Sequence, residues 1–323
     1  MPVVLILIIV FLSGCQLRGG AVETERDVEM IHKGTQGLGM SFANGMPPDR
    51  IYDTSTLDML VELKNLGTAD LDVSNCMLYL SGYDRSIVLF DVERQACGNL
   101  DGKSVFTPEG SIGTAEFNAD TILLPYGVDS YSPNFLITAC YKYKTIATPV
   151  VCVDPNLYSL SPVQRACAVK DETLSGGQGA PVSVDKVEVD MLKDNVLFKI
   201  YISNSGAATT TKTILGTKTT TTGKTGIVLS DAVSPVHECP YNLEYDDYNV
   251  VRYYVDAGTI SLVECTPNTP EPGTVRLIDN KAVIYCKFDT GMLQSATQIP
   301  LTIELDYGYM DYVSKKVEII KTP

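Results

Sequence analysis

Leu57-Asp58-Met59-Leu60-Val61-Glu62-Leu63-Lys64 decides the fold class. Leu57, Met59, Val61 and Leu63 recur at every second position, with Asp58, Glu62 and Lys64 opposite them and Leu60 the one apolar exception. A period of two puts one row of side chains into a core and the other toward solvent, as in a half-buried strand. Val196, Phe198, Ile200 and Ile202 repeat the pattern opposite Leu197, Lys199, Tyr201 and Ser203. Helical periodicity is nearly absent, and short alternating runs bounded by Gly, Pro, Asn and Asp recur instead. The chain therefore reads as all-β, built of antiparallel β-sandwiches.

The two runs end alike, in Asn65-Leu66-Gly67-Thr68-Ala69 and Asn204-Ser205-Gly206-Ala207-Ala208, which predicts an internal duplication. A later match, Ile137-Thr138-Ala139-Cys140-Tyr141-Lys142-Tyr143 with Ile303-Glu304-Leu305-Asp306-Tyr307-Gly308-Tyr309, supports it, each run being followed by a turn and a last strand. The offsets, 139 and 166 residues, differ by 27, and the Thr/Lys/Gly tract Thr209 to Gly226 supplies much of that excess. The tract has three readings, an O-glycosylated loop, a flexible contact arm or, since threonine favours strands, a protruding hairpin of Thr209 to Ile214 against Lys218 to Val228. The expected organisation is a signal segment over 1–14, a tether over 15–27, a β-sandwich over 28–167, a Gly-rich linker over 168–182, and a second sandwich over 183–323 with the Thr-rich insertion at 209–226.

Composition narrows the function. The 323 residues suffice for two domains, and nothing after Leu12 is long and apolar enough to span a bilayer as a helix. With 39 acidic against 25 basic residues, net charge -14, the surface field repels phosphate backbones, so nucleic acid is not an expected partner. Eight cysteines remain besides Cys15, none in a CxxC pair, and His32 and His237 are the only histidines, which disfavours zinc and favours disulfides. Five of the eight fall in the first half and three in the second, so either a bridge joins the halves or each half keeps an unpaired thiol. Cys140 with Cys152, on adjacent strands, and Cys265 with Cys286, flanking a hairpin, are the expected pairs.

Catalytic signatures are missing. No Gly-x-Ser-x-Gly occurs, and Gly34-Thr35-Gln36-Gly37-Leu38-Gly39 lacks a phosphate-loop lysine and reads as a turn. His32 reads as a strand residue and His237 as a loop residue, each without a partner for acid-base work. Glu244, Asp246 and Asp247 gather oxygen donors in one stretch and are the candidate calcium ligands, although the spacing is not that of a calcium loop. Among the 18 tyrosines, Tyr245, Tyr248, Tyr307 and Tyr309 are candidate contact residues, tyrosine offering rigid amphipathic surface. A concave cluster of Tyr245, Asp246, Asp247 and Tyr309 would mark a ligand site, whereas a scattered arrangement favours a scaffold.

Leu12-Ser13-Gly14-Cys15, closing the uncharged apolar run Val3 to Leu12, resembles the lipobox of secreted lipoproteins. The run is too short to cross the bilayer but suits a signal h-region. The resemblance implies cleavage before Cys15, lipid on its thiol, and an extracytoplasmic, membrane-anchored chain. The strand, Asn-x-Gly-x-Ala and late strand pair of each half resemble immunoglobulin-like domains of the CARDB type. Lys33-Gly34-Thr35-Gln36-Gly37-Leu38, Met46-Pro47-Pro48, Tyr79-Leu80-Ser81-Gly82-Tyr83-Asp84 and Gly179-Ala180-Pro181-Val182-Ser183-Val184 resemble uncharacterised archaeal cell-surface lipoproteins. The surface-lipoprotein resemblance carries no activity that transfers to a residue; the lipobox and the missing catalytic signatures together set the expectation of a non-enzymatic surface protein with an adhesion or envelope-scaffold role, its partners being membrane lipid through Cys15 and other envelope or extracellular proteins. The alternative is a ligand- or calcium-binding module of an envelope transport or sensory assembly. The intact mass of the envelope-extracted chain should equal residues 15–323 plus acyl groups, and Cys15→Ala should abolish that mass; an unmodified or internally cleaved wild-type chain refutes the anchor.

Overall fold

The structure is a computed structural model that describes residues 31–159, 165–214 and 217–323, leaving out the side chains of 207–225; Cys15 and the signal and tether segments lie outside the described residues. The first half contributes β1 (Leu38–Phe42), β2 (Arg50–Tyr52), β3 (Leu57–Asn65), β4 (Cys76–Ser81), β5 (Val88–Leu89), β6 (Arg94–Ala96), β7 (Ile112–Ala119), β8 (Thr121–Ile122), β9 (Ser130–Tyr131), β10 (Asn134–Ala147) and β11 (Val150–Val153). The second half contributes β12 (Glu172–Thr173), β13 (Val182–Met191), β14 (Asn195–Asn204), β15 (Ala207–Ile214), β16 (Thr217–Thr225), β17 (Ile227–Leu229), β18 (Val250–Asp256), β19 (Ser261–Thr266), β20 (Thr274–Arg276), β21 (Lys281–Asp289), β22 (Thr297–Pro300), β23 (Thr302–Lys316) and β24 (Glu318–Ile320). The all-β reading stands: every pairing is antiparallel except β2 with β24, and no helix among the described residues is long and apolar enough to cross a membrane.

The alternation behaves as its chemistry requires. Along β3, Leu57, Met59, Val61 and Leu63 are buried while Asp58 and Glu62 are exposed. Both matched segments fall on equivalent strands. β1 pairs with β3 and β3 with β7, as β13 pairs with β14 and β14 with β21. Of the three readings of the Thr-rich tract, the strand pair is the one formed, β15 against β16, although the strand after it, β17, leaves the hairpin to join β23.

The two halves are joined through shared sheets. β10 and β23 pair along fourteen residues, Asn134↔Lys316 to Ala147↔Ile303. The same register continues past both ends, since β11 pairs with β22 and β24 with β9. The last strand of each half is thus laid against the strand that precedes the long strand of the other half. One seven-stranded sheet contains strands from both halves, and a single apolar core runs through both.

The Gly-rich stretch expected to be a flexible linker is built into this junction. β12 pairs with β13, Gly34 donates to the Gly176 carbonyl at 2.7 Å, Gly179 donates to Gly34, and Thr68 donates to Gly179, each at 2.9 Å. Gln178 is buried and exchanges hydrogen bonds with the Val184 backbone. Gly177 and Gly179 both have φ of +69°, a conformation that favours glycine, so the glycines here allow close turns and not mobility.

At the centre of the β10–β23 ribbon, Tyr141 faces Tyr309 and Tyr143 faces Tyr307, and all four rings are buried. Each phenol hydroxyl bonds an incoming element. The Leu38 amide donates to Tyr141 and the Val182 amide to Tyr307, both at 3.2 Å and both at the first residue of equivalent strands. Tyr143 donates to Asn65 Oδ1 at 3.1 Å and Tyr309 to Asn204 Oδ1 at 3.2 Å. The two asparagines of the matched Asn-x-Gly segments therefore occupy equivalent positions about a local two-fold passing near Lys142 and Gly308. A Cβ on Gly67 would collide with the Tyr143 hydroxyl, and one on Gly206 with that of Tyr309, which explains the glycine two residues after each asparagine. Removing one of these asparagine side chains leaves buried groups unpaired: Asn65 also donates to the Ala69 and Leu100 carbonyls, and Asn204 to that of Gly226. Asn65→Ala and Asn204→Ala should each lower stability by about 1–3 kcal/mol in urea unfolding, with one transition kept because the core is shared; two resolved transitions would show that the halves are independent.

Candidate binding groove

Four disulfides lock this body: Cys76–Cys97, Cys140–Cys239, Cys152–Cys167 and Cys265–Cys286. They are those of a chain in an oxidising, extracytoplasmic compartment. Cys265 and Cys286 pair as expected and sit opposite one another on β19 and β21. Cys140 does not pair with Cys152. Residues of one strand face alternate sides, and Cys140 lies on the face of β10 opposite Tyr141, where it meets Cys239 in a small cluster with Leu229 and Val233. This is the bridge between halves that the odd counts allowed. Cys152 is bound to Cys167, beside a buried Asp154 that pairs with Arg165 at 2.7 Å.

The acidic stretch makes its contacts within the chain. Tyr245–Asp247 form a single 3-10 turn in which Asp247 accepts from the Glu244 amide, and the Glu244 side chain caps the turn in return. Asp246 pairs with Arg276 at 2.8 Å, and the guanidinium lies 4.7 Å from the centre of the exposed Tyr245 ring. Among the described residues, no three His, Cys, Asp or Glu side chains gather as metal ligands. Tyr248 packs partly buried beside the Cys140–Cys239 bridge. Tyr307 and Tyr309, expected as contact residues, are core groups whose phenols burial holds protonated far above the usual range. The proposed cluster of Tyr245, Asp246, Asp247 and Tyr309 is therefore not formed, because period two turns Tyr309 inward. His237 is exposed in a loop, as expected, while His32 lies in an exposed turn and not in a strand.

A groove that the sequence reading missed lies where the two halves differ. Among the described residues β1 pairs only with β3. Leu66 donates to the Gly37 carbonyl and Ala43 to that of Leu60. In an antiparallel ladder such bonds recur at every second residue, so Gly39 and Ser41 bond β3 while Met40 and Phe42 turn their N–H and C=O outward. Across the groove, β23 is paired with β10 throughout. Its other edge receives β18 along Thr302–Asp306 and β17 along Gly308–Met310, and no strand beyond among the described residues. The Tyr312 amide there donates to the Asp311 carboxylate beside it, at 2.7 Å. The groove encloses about 880 Å³ between these two open edges, with Tyr141, Tyr309 and Pro181 among its lining.

Position 145 is the counterpart of Asp311. Thr145 donates to the Val182 carbonyl at 2.6 Å and shares a 2.9 Å hydrogen bond with Tyr307, which binds β13 to the ribbon. At Asp311 the carboxylate has only its neighbour's amide among the described residues, and burial raises its pKa above the ordinary value of 3.8. A signal existed: Ile303, Leu305, Tyr307 and Tyr309 alternate inward, and the same step reaches Asp311, an acid on a core-facing row.

No protein-family model matches the chain, and no curated protein matches it. Among solved structures it has a weak likeness to a DUF4466 family protein from Parabacteroides merdae, at 9% identity over 84% of this chain and 99% of that one, with a TM-score of 0.18. The CupB6 tip adhesin from Pseudomonas aeruginosa has 10% identity over 90% of this chain and 99% of that one, with a TM-score of 0.19. At these scores neither carries an argument about function.

The raised Asp311 pKa has a defined consequence for stability. The folded state holds this proton more tightly than the unfolded state, so the contribution of Asp311 to stability falls as pH rises from 3.8 through the raised folded value, and stays lower above it. Asp311→Asn keeps an acceptor for the Tyr312 amide and removes the buried charge. The variant should be more stable than wild type at pH 7 and lose that advantage near pH 3.5, read from urea midpoints at both values; a difference independent of pH refutes the assignment.

Proposed function

We propose that this chain is a non-enzymatic, lipid-anchored protein of the cell envelope or surface whose role is to hold or contact other envelope or extracellular proteins. The observation that carries the reading is the pairing of a rigid, four-times cross-linked β body with an open strand edge at a groove. Backbone edges bind other chains through a repeating row of donors and acceptors, a property suited to protein contact and not to bond cleavage. The lipobox resemblance at Leu12-Ser13-Gly14-Cys15 supports the anchor. The ligand- or calcium-binding alternative has weaker support, since Asp246 and Asp247 are already taken by Arg276 and by the turn they cap.

Crosslinking of the tagged full chain in intact envelopes, followed by mass spectrometry, tests the reading. Reproducible adducts with defined envelope or extracellular proteins, absent from a Cys15→Ala chain released from the membrane, are expected. Adducts confined to the chain itself, or hydrolysis of a model ester or peptide by the purified chain, overturn it.

A further inference from the structure

In the second half, the strand equivalent to β1 is not an edge. β13 carries β12 on its outer side, with Glu172↔Val187 and Thr173↔Lys186, and the Leu174 amide donates to the Asp185 carbonyl. The second-half sheet thus runs β12-β13-β14-β21-β19, whereas the first-half sheet is only β1-β3-β7. At Val187, the counterpart of Phe42, the outer edge thus takes one further antiparallel strand, while the backbone of Val184, the counterpart of Met40, is bonded by the Gln178 side chain. In the first half, Met40 and Phe42 turn their outward donors and acceptors to the groove, and Asp311 supplies a partly desolvated carboxylate that has no cation partner among the described residues.

We propose, resting on the protein-contact reading above, that the outer edge of β1 receives an extended segment of a partner protein as an added antiparallel strand, with a Lys or Arg of that segment paired to Asp311. Charge selects the occupant. Burial makes Asp311 costly to ionise when alone, and a cation brought alongside offsets that cost. A strand bearing an acid at the same point adds a second like charge. Main-chain bonds to Met40 and Phe42 supply affinity, and the contact at Asp311 supplies selectivity.

The test uses the mature full chain and a ten-residue synthetic peptide of alternating valine and threonine with one central lysine, beside a control with glutamate in place of that lysine. Fluorescence polarisation gives affinity, and amide hydrogen exchange gives place. The lysine peptide should bind at least tenfold tighter than the glutamate peptide and slow exchange at Met40 and Phe42. Met40→Pro deletes an outward N–H that β3 does not use, a substitution edge strands tolerate, and should abolish binding with the thermal midpoint kept. Asp311→Asn should erase the preference between the two peptides, and because it removes a cost to folding it separates lost selectivity from lost structure. Equal binding of both peptides, unchanged exchange at Met40 and Phe42, or full binding by a folded Met40→Pro chain overturns the proposal. Slow exchange at Met40 and Phe42 without peptide, made fast by deleting residues 16–30, would assign the edge to the chain's own N-terminal segment and also overturn it. Envelope crosslinks without peptide binding reject the groove and keep the protein-contact role, whereas binding without crosslinks does the reverse.

Discussion

The β10–β23 ribbon is the constraint on which the rest of the structure depends. Its four central tyrosines face the same side, and each uses its hydroxyl to fix a backbone group or asparagine of a strand packed above it. A buried phenol must find a hydrogen-bond partner. Here the partners are the first residues of β1 and β13 and the last residues of β3 and β14, so satisfying the ribbon also sets where both smaller sheets begin and end. The glycines beside Asn65 and Asn204 leave the space the phenols need.

Such a ribbon makes the halves inseparable. Each half alone would lose the partner of its long strand and that of its last strand, exposing a row of unpaired amides and half of a shared apolar core. The Cys140–Cys239 bridge reinforces this from the other face of the sheet. It spans 99 residues, a loop whose closure restricts the unfolded chain by about 4–5 kcal/mol in the chain-entropy account. The glycines between the halves then serve the close crossing of Gly34, Thr68 and Gly179, not freedom of motion.

Departures from the local two-fold are where the molecule has a surface to offer. Thr145 binds β13 down, and β12 pairs with β13; at the equivalent place Asp311 stands against a β1 that no described strand covers. A threonine hydroxyl can both donate and accept inside a core, whereas an ionised carboxylate only accepts and resists desolvation. That difference in chemistry coincides with the presence of β12 at one end of the ribbon and a groove at the other. Retaining a stability cost at a site of contact is common where function needs an unsatisfied group.

Alternation in Leu57 to Lys64 and Val196 to Ser203 was enough to determine strands, their inward rows and the all-β class, because period two is a property of the extended backbone itself. The repeated Asn-x-Gly and the paired Tyr-x-Tyr segments were enough to determine the duplication, and odd cysteine counts in the two halves were enough to require a bridge between them or free thiols. Which strand meets which was decided only by tertiary structure. Tyr307 and Tyr309 looked like contact residues until the ribbon placed them inward, and Cys140 found Cys239 only because its strand turns that face to a distant loop. The reason is physical: side-chain direction is local and repeats every two residues, while strand pairing, disulfide choice and the open edge of β1 depend on which distant segments complete a shared core.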